Sequence, residues 1–319
     1  MNPRTIGLLI TLILISILFN SYSNEANRFL EWRNILRMLT MTVNGAYVAC
    51  ASTLLMIEGS LDLSMNRMAA FTGVILAKLL AAGIPTPVSV LLMFVSAALA
   101  GTVNSILTYE FKMPSFIATL GFATVLQGLT MTISRIGGRL FSNSFLTWLG
   151  TGKFGGEVPV RLVITFILLA VYTIALKSTK TGISIYLVGG NSKAAVLSGL
   201  SHRKIHYLLY INSAVLCSIA AMIQMGSYGG GTAINARYGE FTGITYALLG
   251  GVSFYGGSGS LGATFLGLVI ITWISNGLTL LRIPSAWDSV VSGGFLLFVL
   301  ALSHINLRSK IRFKPTGRI

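Results

Sequence analysis

Apolar residues along this chain come in long runs rather than in alternation. The first lies within "MNPRTIGLLITLILISILFN", and others follow at about 37–57, 64–82, 88–108, 115–134, 161–176, 207–226, 243–256, 259–281 and 286–304, parted by turn signals such as "GIPTP", "KMPS" and "RIPSAW". Runs approaching the ~20 residues that carry a helix across a ~30 Å hydrocarbon core predict an all-α integral membrane protein of about ten transmembrane helices. A β-barrel would instead alternate over ~10-residue strands, and no such pattern is visible. The run at 243–256 is short and glycine-rich, so whether it crosses fully stays open. After the first run, "SYSN" offers a weak cleavage signal at Ser21-x-Ser23, but the membranous remainder favours an uncleaved first helix. Segment 23–36 reads either as an interfacial helix or as a solvated connector with Phe29 and Trp32 at headgroup level.

One stretch interrupts this pattern. Residues 57–66, "IEGSLDLSMN", set Glu58 and Asp62 between two apolar runs in a chain with only eight acidic residues. Gly59-Ser60 disfavours continuous helix, so a broken or re-entrant turn is expected, its freed backbone groups facing protein or a watery path rather than lipid. Asp62 would accept hydrogen bonds from amides at the start of the next helix, an N-cap-like role. A second glycine-serine interruption, "GGVSFYGGSGSLGATFLG", aligns with the first, placing Gly45 over Gly243 and Gly59-Ser60 over Gly257-Ser258. Paired interruptions of this kind are what internal repeats leave in transporters.

Composition agrees with the membrane class and removes others. Of 319 residues 54% are hydrophobic and 10% charged, with mean hydropathy +0.79, against roughly 25% charged in a soluble domain. The net charge of +15 does not point to nucleic acid, because the bases fall in short loops and in the tail "NLRSKIRFKPTGRI". Segment 177–206 carries Lys177, Lys180, Lys193, Arg203 and Lys204 without an acid, and 306–319 carries Arg308, Lys310, Arg312, Lys314 and Arg318. An even span count puts both on the side of Arg4, which the positive-inside rule assigns to the cytoplasm. The opposite side is less clean, with four bases and one acid over 135–161.

Sites of chemistry are sparse. Near "TWLGTGKF", Thr147 and Phe154 stand where a phosphate-binding loop needs glycine and a hydroxyl. Cys50 and Cys217 lie in apolar runs outside any metal-ligand spacing and are expected to be inert and buried. His202 and His206 can share a helix face but lack a neighbouring carboxylate in sequence, so an interfacial or solvated role is expected and no metal site. An intramembrane enzyme built on Glu58 and Asp62 is disfavoured by the glycine between them. A channel or secondary transporter stays open, since intramembrane acids commonly mark ion pathways.

In the basic segment "KSTKTGISIYLVGGNSKAAVLSGLSHRKIHYLLY", Asn191 can cap a short helix, Ala194 and Ala195 favour it, and Gly199 can end it. That helix is either a docking knob for a cytoplasmic partner or a capped surface loop. "LVGGNSKAAVLSGL" closely resembles the "GGN-x-x-A-A-x-x-S-G-I" segment of the permease subunits of ribose, xylose and galactose type ABC importers. Similarity continues in order: "GSLDLSMN" with that family's "GGIDLSVG", "MPSFIATLG" with "IPPFIATLG", "GGVSFYGGSGSLGATFLG" with "GGTSLSGGRGSVLGTLLG", and "SNGLTLL" with "NNGLNLL". The matches run from about residue 45 to 303.

The resemblance implies one polytopic permease domain over 1–319, in the bacterial cytoplasmic membrane with both termini inside. Segment 177–206 becomes its cytoplasmic coupling loop and 306–319 a basic cytoplasmic tail. It implies a second permease subunit (the same chain or a paralogue), a cytoplasmic ATP-binding cassette ATPase and an extracytoplasmic solute-binding protein. No cofactor belongs to the chain itself and it is not an enzyme, since ATP is used by the partner subunits. The coupling role falls on Gly189, Gly190, Asn191, Ala194, Ala195, Ser198 and Gly199. The expected substrate is a monosaccharide, with a signalling furanone, nucleoside or vitamin as the alternative. Ser60, Asn66 and Glu58 stand where the family has glycine, glycine and a small residue, so Glu58 is where this chain departs most. As residues along the path we expect Glu58, Asp62, Asn66, Asn104, Gln127, Asn276 and Trp287, polar or amphipathic groups set in or beside apolar runs. Interhelical hydrogen bonding, at ~0.6 kcal/mol each, is the competing explanation for them.

Overall fold

Backbone N–H and C=O groups in hydrocarbon have to be satisfied within their own segment, and helix does this locally. The computed structural model describes residues 3–22, 29–134, 143–229, 239–284 and 286–312, and these are mostly helical. In order they form α1 (Pro3–Ser21), α2 (Trp32–Glu58), α3 (Met65–Ala81), α4 (Thr86–Ser105), which ends in a π-helical turn (Ile106–Glu110), α5 (Ser115–Ser134) and α6 (Ser144–Thr151). A two-stranded antiparallel hairpin (Lys153–Phe154 with Val158–Pro159) leads to α7 (Val160–Ser178), α8 (Lys180–Gly190), α9 (Ser192–Leu197), α10 (His202–Tyr228), α11 (Thr242–Leu249), α12 (Leu261–Leu280) and α13 (Ala286–Arg312).

Among the described residues six helices are long and apolar enough to cross a membrane: α2, α4 with its π turn, α5, α7, α10 and α12. The expected ten spans are therefore not reproduced. Helix α3 has 17 residues and includes Arg67 and Lys78, and α11 has only eight. At 1.5 Å per residue α11 rises about 12 Å, far short of a bilayer core. Residues 250–260 after it are turns and extended chain. At the C-terminal end the backbone stays helical to Arg312, so the first part of the expected tail at 306–319 continues α13; residues 313–319 lie outside the described residues. Short helix α6, the hairpin and α8 were not foreseen, being too short for a periodicity to register.

Helices α2, α10 and α12 form the centre, with 83%, 67% and 67% of their most apolar windows buried, whereas α5 and α7 bury 28% and 22%. Ile117 and Val125 on α5 and Ile167 and Ile174 on α7 are accordingly exposed. In water such a surface would be an aggregation liability, but around a membrane bundle it is the face that meets lipid. Both cysteines are buried and free.

Candidate functional site

Helix α2 ends where the glycine predicts. Gly59 adopts φ 101, a left-handed conformation open to glycine, and the amides of Gly59 and Ser60 bond back to Met56 and Leu55 at 3.1 and 2.9 Å. The chain then runs extended to α3, and its amides need partners outside the helix. Helix α5 supplies two: Ser115 Oγ accepts from Leu61 N at 3.1 Å and Thr119 Oγ1 from Leu63 N at 3.0 Å. Tyr210 of α10 donates its hydroxyl to Leu61 O at 3.0 Å. The hydroxyls of "MPSFIATLG" thus hold the backbone of "GSLDLSMN", a physical reason for the two motifs to occur together.

Asp62 sits inside this turn, 5% exposed. Its Oδ1 accepts from Ser64 N and Ser64 Oγ at 2.8 and 2.6 Å, and its Oδ2 from Ser213 Oγ at 3.0 Å. The expected bond to an amide is present, but as an Asx-type turn two residues on rather than a cap of α3. Ser213 lies about 16 Å along α10 from its start, so the turn re-enters the bundle to that depth. Asn104 of α4 joins the network, donating from Nδ2 to Ser64 Oγ at 2.8 Å while its buried Oδ1 has no partner among the described residues.

Helix α10 faces the turn with a polar stripe, His202, His206, Tyr210 and Ser213, spaced three to four residues apart. Of the two histidines expected to be interfacial or solvated, His206 is 5% exposed and His202 half-buried. Oε1 of Glu58 lies 2.7 Å from His202 Nε2 and 3.0 Å from His206 Nδ1, with the Glu58 side chain 1% exposed. The carboxylate missing from their neighbourhood in sequence comes, for His202, from a residue 144 positions away. These three ligand-type groups lie within 4.8 Å of one another and could hold a metal ion.

The basic segment meets the same place. The short helix expected there is α9, and Asn191 Oδ1 accepts from Ala194 N at 3.1 Å. Gly199 follows it at φ 86. Of the motif residues Ala195 is buried, while Gly190, Asn191, Ala194, Ser198 and Gly199 are exposed. Gly189 packs against backbone of the two aligned interruptions, Ile57 on one side and Gly257 on the other. Those interruptions touch directly, Gly257 N donating to Ile57 O at 2.8 Å. A cavity of about 830 Å³ opens here, walled by Glu58, Ser60, Gly189, Asn191, His202 and His206.

The remaining path candidates are scattered. Asn66 donates to Gly239 O at 2.5 Å, and Asn276 of α12 accepts from Asn34 Nδ2 at 3.1 Å. Gln127 is half-buried on α5, and Trp287 is 53% exposed at the start of α13. Glu58, Asp62 and Asn104 lie in one region; Gln127, Asn276 and Trp287 lie on other helices. Beside Asn66, Arg67 Nη2 pairs with Glu240 Oε1 at 2.6 Å, both about 30% exposed. Burial pushes the Glu240 carboxyl up, but its own backbone amide and the Arg67 guanidinium outweigh it, leaving it below the usual carboxylate range. A depressed carboxylate stabilises above its unfolded pKa, and that contribution is lost as pH falls through the folded value. We expect Arg67→Met to lower stability by at most about 1 kcal/mol, screening included, with the difference vanishing in acid. Thermal unfolding of both forms across the carboxylate range checks this, and a difference that grew in acid would refute it.

Comparison with known proteins fits these features. The family described as "Branched-chain amino acid transport system / permease component" matches residues 34–300. "Probable ABC transporter permease protein YphD" of Escherichia coli is 35% identical, over 94% of this chain and 90% of that protein. The ribose import permease protein RbsC of Bacillus subtilis is 30% identical, over 94% and 91%. A solved inward-facing structure of a metal-chelate type ABC transporter shares the fold, with TM-score 0.57 at 14% identity over 93% of this chain and 98% of that one. The chain therefore belongs to the branched-chain amino acid transport system / permease component family, as a multi-pass permease subunit of an ABC transporter.

Proposed function

We propose that this permease imports a small polar solute, a monosaccharide in the first instance, by alternating access, with ATP hydrolysed by separate cytoplasmic subunits that dock on α9. The observation that carries the coupling role is α9 itself. It is fixed at one end by the Asn191 cap and turned away at the other by Gly199, and it holds Leu197 out 89% exposed with Val196 52% exposed beside it. An apolar side chain presented on a short rigid element among basic residues suits a pocket on a soluble partner. Monosaccharide is supported by the ribose named for RbsC.

On this reading the permease pairs with a second copy or a paralogue, takes solute from an extracytoplasmic binding protein and needs no cofactor of its own. Segment 177–206 and both termini face the cytoplasm, in a bacterial cytoplasmic membrane. The coupling residues are Gly189, Gly190, Asn191, Ala194, Ala195, Ser198 and Gly199; Glu58, Asp62, Asn66, Asn104, Gln127, Asn276 and Trp287 are the path candidates.

Leu197→Asp tests the reading. Removing a buried leucine from an interface sacrifices about 1.5–3 kcal/mol, which weakens docking roughly 10- to 100-fold. In proteoliposomes the variant should keep the parent's thermal stability and lose ATP-driven uptake, recovered in part at high ATPase concentration. Uptake that persists at parental rates, or ATP hydrolysis by the isolated chain, would overturn it.

A further inference from the structure

We propose that Glu58, His202 and His206 form a binding site for a divalent transition-metal ion of the zinc class, which ties the last residue of α2 to the first turns of α10 beside the coupling segment. Four observations converge. Two imidazole nitrogens, His202 Nε2 and His206 Nδ1, aim at one carboxylate oxygen at 2.7 and 3.0 Å. Ligand atoms around a tetrahedral ion stand roughly 3.3 Å apart, and the three here lie within 4.8 Å of one another, close enough to converge on one ion. The second oxygen, Glu58 Oε2, is buried without a partner among the described residues. A buried carboxylate oxygen left unpaired is strongly unfavourable, and a cation is the partner that relieves it.

The third observation is the other face of His206. Its Nε2 lies 2.7 Å from Thr108 Oγ1, whose own hydroxyl is directed to Asn104 O at 2.7 Å. Thr108 is therefore placed to accept a hydrogen bond from Nε2–H, which leaves the Nδ1 lone pair facing Glu58. This is the arrangement by which an outer hydrogen bond fixes a ligating imidazole. Finally, the site opens on the cavity of about 830 Å³, leaving room for water as a fourth ligand.

Donor chemistry selects the ion. Two imidazoles and one carboxylate suit zinc and its neighbours, whereas magnesium and calcium require mostly oxygen. Lys112 and Lys193 also wall the cavity, and their charge disfavours a loosely held hard cation more than one bound through nitrogen.

The test is metal binding by the full chain, purified in detergent with any polyhistidine tag removed, and probed with Co²⁺ in competition with Zn²⁺. One Co²⁺ per chain should bind with the intense visible bands of low coordination, displaced by Zn²⁺. Thr108→Val should weaken binding about 10- to 100-fold. His202→Cys, at a side chain 26% exposed and so tolerant of change, should add thiolate-to-metal charge transfer, which a merely hydrogen-bonded cluster does not give. A weak octahedral spectrum, or binding unchanged in the Glu58→Gln/His206→Gln double variant, would overturn the site and leave a metal-free ion pair of Glu58 with protonated His206. The wild-type spectrum decides even where a buried variant fails to fold, and it does not depend on transport.

Discussion

Gly189→Ala is expected to abolish transport and lower the stability of the permease, while Gly190→Ala leaves stability unchanged. The two glycines are adjacent in one motif, but a Cβ on Gly189 would land on the carbonyl of Ile57 and against the amide of Gly257, whereas one on Gly190 meets nothing within 4 Å. Backbone atoms cannot swing aside as a side chain does. The obstructed carbonyl is also the one that accepts from Gly257 N at 2.8 Å. Overpacking costs about 1–3 kcal/mol and a displaced buried hydrogen bond about 1 kcal/mol more. The junction between α2, α8 and the 250–260 turn would be forced apart where the proposed coupling segment joins the bundle. Thermal unfolding in detergent and uptake into vesicles measure the two effects, and equal behaviour of the two alanine variants would show that backbone contact is not what Gly189 provides.

Asp62→Ala should be nearly as damaging, for an electrostatic rather than a steric reason. Three donors, Ser64 N, Ser64 Oγ and Ser213 Oγ, point at this carboxylate in a place closed to solvent. Leaving buried donors without an acceptor, where the bonds were to a charged group, costs about 3 kcal/mol or more in total. Asp62→Asn keeps one acceptor for Ser64, and Ser213 can rotate its hydroxyl to accept from the new amide, so more than half of the loss should be recovered. The order wild type, Asn, Ala in thermal stability is the expected result; an alanine variant as stable as the parent would mean that water replaces the carboxylate.

Some of this was legible before any coordinates. The break at Gly59 follows from glycine's access to positive φ, and α9 follows from Asn191, two alanines and Gly199, all local signals within one turn of the element they define. The membrane class follows from runs of apolar residues, which report directly on what a backbone in hydrocarbon can do. Span counting fared worse, because hydropathy averages over a window. It does not separate α11, which stops after eight residues, from a run that continues through turns, nor does it see that α13 outlasts its apolar stretch.

What the sequence by itself determined, then, is what consecutive residues decide: solvent class, helix, caps and breaks, and the family whose motifs recur in order. Tertiary structure alone decided which distant groups meet. In sequence Glu58 stands with Asp62 between apolar runs and the histidines are expected to be interfacial or solvated; folding α10 across the end of α2 brings Glu58 and the histidines into one cluster. No local signal singles out Ser115 and Thr119 on α5, and only the fold shows that they accept from amides of the re-entrant turn. The physical reason is the same in both cases: a buried polar group must find a partner, but nothing in its own neighbourhood along the chain specifies from which helix that partner comes.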